Sequence, residues 1–234
     1  MDVDRETVQE HVATVRDRIA QAARRAARDP ADVLLVAVTK TIGLDPIRWA
    51  REAGVDAFGE NYVRDLADKR GEVPDASWHY VGTLQSGTAA QVADHADVVE
   101  SVAGERAARR LAGRATRSGR TLDVLIEVDL TPEGRAGVRP DELPRFADLV
   151  ASLDALRLIG LMTVPPIPAA AEESRPHFAR LRQLTDDLRN THPQVLESSM
   201  GMSLDYEVAV EEGATMVRIG TALFGPRATR EEPR

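Results

Sequence analysis

Lys40 stands directly after the apolar run Val33-Leu34-Leu35-Val36-Ala37-Val38. Of the 30 cationic side chains only Lys40 and Lys69 are lysine, the other 28 being arginine. Where the cations of a chain have drifted so far toward arginine, each surviving lysine is a candidate for work that arginine cannot do. Arginine stays protonated in a protein. A lysine amine desolvated at the mouth of a fold can lose its proton and attack a carbonyl, forming a Schiff base. Lys40, reached through an apolar strand, is the candidate for that chemistry, whereas Lys69, in the polar segment Asp68-Lys69-Arg70, reads as a solvated surface charge.

Two other segments have the composition of an anion cup. Ser198-Ser199-Met200-Gly201-Met202-Ser203 and Arg218-Ile219-Gly220-Thr221-Ala222 each bring glycine and hydroxyls to the start of a helical stretch, where backbone N–H groups can face a phosphate. Either alone is ordinary turn chemistry, so the weight lies in their occurring together. A Schiff-base amine beside a phosphate cup implies a ligand that is both an aldehyde and a phosphate ester. Pyridoxal 5'-phosphate (PLP) meets that description.

The remaining polar candidates are more ambiguous. Glu60-Asn61-Tyr62 follows a strand, and Glu127 and Asp129 lie two apart on one face of another. That pair is either an acid and a base or the polar filling of an upper barrel layer. His79, between Trp78 and Tyr80, reads as a satisfied core histidine. His95, His177 and His192 lack metal-ligand spacing, and no metal site is expected.

The elements that must position these residues repeat one theme. Apolar residues at Val8, Val12, Val15, Ile19, Ala22 and Ala26 lay a single stripe along a helix over 4–28, ended by Asp29-Pro30. Short apolar runs then predict strands near 33–39, 56–59, 77–82, 97–102, 122–130, 156–163, 195–199 and 214–218. Helical stretches fall between them near 44–54, 60–70, 86–95, 104–118, 140–152, 172–191 and 203–212, with starts marked by Asp45-Pro46, Pro140-Asp141-Glu142 and Ser203. Eight strands alternating with helices predict an α/β fold, a single (β/α)8 TIM barrel with an extra N-terminal helix. A doubly wound open sheet would carry a glycine-rich turn after its first strand, but Thr39-Lys40-Thr41-Ile42-Gly43 has one glycine. The domain is expected over 1–225, with a long loop at 165–175 and a polar tail at 226–234.

Length and composition bound the function. A chain of 234 residues that is 43% hydrophobic and 29% charged can bury one sizeable core. A net charge of -8 and an aromatic content of 4% argue against nucleic acid. The absence of cysteine excludes disulfides and thiolate chemistry. No apolar run is long enough to span a bilayer and the first residues are polar, so a cytoplasmic protein acting on small molecules is expected, and a monomer suffices for a free-standing barrel.

Six collinear segments carry a family resemblance: Val36-Ala37-Val38-Thr39-Lys40, Phe58-Gly59-Glu60-Asn61-Tyr62-Val63, Trp78 through Ser86, Gly160-Leu161-Met162-Thr163, Ser199-Met200-Gly201-Met202-Ser203 and Val217 through Gly225. In these the chain resembles the YggS/PROSC pyridoxal phosphate homeostasis proteins. The resemblance implies a barrel like the N-terminal domain of bacterial alanine racemases, with PLP on Lys40. It further implies Arg218 facing the pyridine nitrogen, Ser199, Ser203, Gly220 and Thr221 around the phosphate, and Asn61 and Met162 along the ring. The chain departs from the family at Gly87-Thr88 and Arg135, where lysine-containing motifs are usual.

The function this implies is intracellular PLP (vitamin B6) homeostasis without catalytic turnover, with PLP-requiring apoenzymes as candidate partners. An amino-acid racemase is the alternative. Alanine racemases add a second domain with a tyrosine base, and the few residues after Gly225 leave no such domain expected here. A sugar-phosphate barrel enzyme using Glu127 and Asp129 is a third reading; it predicts no PLP chromophore.

Overall fold

Val36 to Val38 of the first strand pair with Ala57 to Gly59 of the second, and the same strand pairs on its other side with the last, from Leu34 opposite Met216 to Ala37 opposite Ile219. Every neighbouring pair is parallel, and all but the closing pair of first and last strands are consecutive in the chain, so the sheet closes into an eight-stranded barrel. Closure excludes the open-sheet alternative, because an open sheet would leave its edge strands unpaired. The computed structural model describes residues 3–131 and 133–226, so the expected tail lies outside the described residues except for Pro226.

The strands are β1 (Leu34–Val38), β2 (Ala57–Glu60), β3 (Ser77–Tyr80), β4 (Val98–Val102), β5 (Leu122–Glu127), β6 (Leu156–Met162), β7 (Glu197–Ser199) and β8 (Met216–Ile219). The helices are α1 (Arg5–Arg25), α2 (Leu44–Glu52), α3 (Val63–Glu72), α4 (Ala89–His95), α5 (Glu105–Arg117), α6 (Leu143–Ala151), α7 (Arg175–Arg189), α8 (Tyr206–Glu211) and the single turn α9 (Thr221–Phe224). Each expected strand and helix is present, generally shorter at its ends because the sequence pattern runs on into caps and loops. The expected loop at 165–175 is irregular as far as a short 3-10 turn, Ala171–Ser174, that runs into α7.

α1 begins at Asp4, whose carboxylate accepts from the Thr7 N–H at 2.9 Å. It buries Val8, Val12, Val15, Ile19, Ala22 and Ala23 and packs along α2, α8 and α9, bridging the helices that flank the β8–β1 seam. His11 Nδ1 reaches the Leu223 carbonyl at 2.9 Å and Arg16 binds the carbonyls of Ala53 and Gly54.

The barrel interior is layered by the two-residue period of its strands. Val98, Leu125, Met162 and Met216 form an apolar plug separate from the large cluster between sheet and helices. Two residues further along β4, β5 and β8 stand Glu100, Glu127 and Arg218, all buried. The floor of the mouth is therefore charged and rests on a dry plug.

Gly160 on β6 lies opposite Glu197, and a Cβ there would sit 2.2 Å from the Glu197 carbonyl oxygen. Gly71, near the end of α3, has no atom within 4 Å of such a Cβ. Gly160→Ala is therefore expected to lower stability in urea melts by about 3 kcal/mol through overpacking. Gly71→Ala is expected to raise it by about 0.5–1 kcal/mol through helix propensity.

Candidate functional site

The C-terminal ends of β1, β2, β3, β6, β7 and β8 surround a cavity of ≈ 360 Å³. Its wall includes Lys40, Asn61, Ser203, Arg218, Gly220 and Thr221, together with apolar Val38, Val81, Val164 and Ile167. Six of the eight expected site residues thus share one cavity at the end of the barrel where such sites are built. Met162 and Ser199 do not line it. Met162 belongs to the apolar plug, and the Ser199 hydroxyl is buried between two charges below the cavity floor.

Arg218 is 5% exposed and organises that floor. Its Nη1 donates to Ser199 Oγ at 2.5 Å and its Nη2 to the Thr163 carbonyl at 2.9 Å. Glu100 Oε2 lies 3.7 Å from Nη1 and accepts from Ser199 Oγ at 2.5 Å. Its other oxygen is 2.6 Å from His79 Nδ1, which must carry the proton because a carboxylate only accepts. Burial by itself would push the Glu100 carboxyl up. The hydrogen bond and charge of His79, with Arg218 and Ser199, outweigh it and hold Glu100 below its ordinary value. Burial likewise disfavours the Arg218 charge, opposed by Glu100, Glu127 and Asp205, and the guanidinium remains a cation.

Glu100 was not singled out by its spacing. Its signal was a lone acid inside the otherwise apolar or small stretch Val98-Val99-Glu100-Ser101-Val102, which demands a buried partner. His79 is, as expected, a satisfied core histidine.

Lys69 corrects an expectation. It is not a solvated charge but 8% exposed, with Nζ 2.5 Å from Glu60 Oε1 and 2.7 Å from the Thr39 carbonyl. The local segment is polar, but α3 turns this side chain under the β1 and β2 ends.

Glu127 and Asp129 do not form a pair with matched roles. Asp129 accepts from Thr131 N and Oγ1 and from the Arg135 N–H, at 2.9, 2.6 and 2.7 Å, and so folds the loop after β5. These bonds hold its carboxyl low against the effect of burial. Glu127 belongs to the upper barrel layer, the other of the two readings its spacing left open.

The two hydroxyl loops are joined. Ser203 Oγ accepts from the Ala222 N–H at 3.1 Å, tying the β7 loop to the start of α9. Ser203 was expected to open a helix. That helix starts later, after Asp205, whose carboxylate accepts from the Met202 N–H at 2.8 Å and from Ser174 Oγ at 2.7 Å. Gly220 keeps the wall thin, since a Cβ there would lie 3.2 Å from the Val38 carbonyl oxygen.

These groups fit PLP. Asn61 Oδ1 is buried on the cavity wall without a hydrogen-bond partner, an acceptor left for a ligand. The Ser203 and Thr221 hydroxyls suit a phosphate, Lys40 supplies an amine, and Arg218 supplies a fixed cation on the floor. Among the described residues no group of three or more His, Cys, Asp or Glu is placed to hold a metal ion, and no helix is long and apolar enough to cross a membrane.

The chain belongs to the alanine racemase N-terminal domain family, whose model matches residues 11–228. Within it, the chain falls among the pyridoxal phosphate homeostasis proteins. It is 42% identical over 224 residues to the protein of that name from Pseudomonas aeruginosa, covering 94% of this chain and 96% of the relative. It is 39% identical to the Escherichia coli K12 protein, covering 93% and 95% respectively. Among solved structures it is similar to PipY of Synechococcus elongatus, determined with PLP bound, at a TM-score of 0.82 and 35% identity over 93% of this chain and 100% of that one.

Burial pushes the Glu127 carboxyl up from 4.5 to about 7, with Arg218 opposing and Asp129 adding to the rise. The folded state therefore prefers the neutral acid. That contribution to stability is complete below pH 4.5 and is lost as pH rises through about 7. In the ligand-free protein, Glu127→Gln, which stays neutral, is expected to gain stability relative to the parent as pH rises across that window. The relative gain should be on the order of 3 kcal/mol, read from urea melts at each pH. A difference flat in pH would mean that Glu127 titrates in the folded state as it does in the unfolded chain.

Proposed function

We propose that this protein binds PLP in the β1–β8 cavity, covalently on Lys40, and serves intracellular PLP homeostasis by holding and releasing the cofactor without turnover. The observation that carries this reading is the convergence of one amine, two hydroxyls and a buried cation on a single cavity at the strand ends. When bound, PLP supplies an aldehyde that condenses with a neutral amine, losing water to give a C=N bond.

The residues have separable tasks in this reading. Lys40 provides the amine. Ser203 and Thr221 donate to the phosphate, and Gly220 lets the backbone approach it. Asn61 lies along the ring, while Met162 supports the floor from the plug. Arg218 faces the ring nitrogen, and Ser199 acts one step back, fixing the guanidinium between itself and the Thr163 carbonyl. A cation at that nitrogen disfavours its protonation, which weakens the ring as an electron sink. The PLP-bound PipY relative supports the binding part of this reading, and release to PLP-requiring enzymes in the cytoplasm completes it.

The experiment is an absorbance titration with PLP, followed by borohydride reduction and peptide mapping. A band distinct from free PLP and a pyridoxyl group fixed on Lys40 are expected. Lys40→Ala should lose the fixed label altogether, because the one other lysine is held on Glu60. A spectrum of free PLP alone would sink the reading. Exchange of the α-proton of alanine with deuterated solvent at a catalytic rate would replace holding with racemisation.

A further inference from the structure

Both lysines of the chain converge on one turn. The Thr39 carbonyl accepts from the Ile42 N–H at 2.9 Å, closing a four-residue turn with Lys40 second and Thr41 third. Thr41 has φ +67, a left-handed conformation that normally calls for glycine at the third position and that strains a β-branched residue. Such a residue persists only where its surroundings over-determine it.

The surroundings here are a buried ion pair. Lys69 Nζ, from α3, donates to the same Thr39 carbonyl at 2.7 Å and to Glu60 Oε1 at 2.5 Å, while Thr39 Oγ1 donates to that carboxylate oxygen at 2.6 Å. Glu60 is fully buried and its Oε2 has no hydrogen-bond partner. A buried pair with an unsatisfied oxygen is a poor device for stability, since desolvation offsets the attraction. It does grip the peptide immediately before Lys40. A compact ammonium can stand between one carboxylate oxygen and one carbonyl, whereas a planar guanidinium presents a fork of another shape. That accounts for a lysine at this position in a chain whose other cations, Lys40 aside, are arginine.

We propose that Glu60 and Lys69 are positioning residues that clamp the Thr39–Ile42 turn and so set the Lys40 amine for covalent capture of PLP. The proposal deepens the PLP reading above and rests on it. Two variants test it: Glu60→Gln/Lys69→Met, which removes both charges at nearly constant volume, and Lys69→Arg, which keeps the charge and changes the donor shape. In PLP-free protein, amide hydrogen exchange in the peptide covering 38–43 should quicken at least tenfold in both, with the strands of the barrel protected as before. With PLP, borohydride labelling of Lys40 at a fixed subsaturating concentration should fall about tenfold, and arginine should not rescue it. Exchange and labelling equal to the parent's would overturn the clamp, as would full labelling in Lys69→Arg. If the double variant does not fold, Lys69→Arg decides by the same two readouts. Failure of the parent to label would overturn the PLP reading, and the exchange measurement on PLP-free protein would still decide the clamp.

Discussion

A guanidinium sunk into the mouth of a parallel barrel is the constraint around which this site is built. Arg218 cannot shed its proton, and at 5% exposure it has little water. Its partners come from other strands, near and far: Ser199 on the neighbouring β7, the Thr163 carbonyl after β6 and, across the barrel, Glu100 on β4. At 3.7 Å and an effective dielectric of ~20, the attraction to Glu100 is roughly 4 kcal/mol, comparable with the several kcal/mol that desolvating each ion costs. The pair thus adds little net stability. What it does is fix a positive charge at a defined height, above a plug of Val98, Leu125, Met162 and Met216 that carries no competing polar atoms beyond thioether sulfur.

The rest of the mouth is arranged around that charge. Three carboxylates bias Arg218, yet they differ in what they can do. Glu100 is committed to His79, Ser199 and Arg218, and Asp205 to the Met202 N–H and Ser174. Glu127, pushed up to about 7, is the one whose charge depends on pH near neutrality. The loop after β7 is braced from outside as well. Asp205 bonds Ser174, and the adjacent Arg175 pairs with Glu172, Glu211 and Glu212, so the turn before α7 and the end of α8 are locked together behind the β7 loop. These outer pairs are partly exposed and individually weak. Their worth lies in linking elements that flank the same cavity.

The barrel could be read from the sequence because its signal is local and repeated. Each buried parallel strand is an apolar run and each helix a striped one, so the order of elements follows without any knowledge of contacts. Lys40 was legible for the same reason: it ends an apolar strand. Three features were not. Lys69 looks solvated because its neighbours are, and only the folding of α3 under β1 and β2 buries it. The count that singled out Lys40 applied equally to Lys69. Ser203 resembled a helix cap, but Asp205 two residues later satisfies the loop N–H and leaves the Ser203 hydroxyl to bond Ala222. Ser199 and Glu100 are joined although 99 residues apart, a pairing that the closure of the barrel creates and no window of sequence contains.

The asymmetry of the mouth bears on what kind of ligand handling it permits. The wall comes from β1 to β3 and from β6 to β8, while β4 and β5 contribute the sunken charges Glu100 and Glu127 beneath it. On the proposed reading, the ligand's phosphate meets Ser203 and Thr221 on one side of this cavity, with Lys40 beside them. Ile167, on the cavity wall, is 81% accessible. Reversible covalent retention needs only an amine held at the right height and an open path for water and ligand. The strained turn that carries Lys40, closed by the Thr39 carbonyl and backed by a buried carboxylate, meets the first need. The exposed rim of the cavity meets the second.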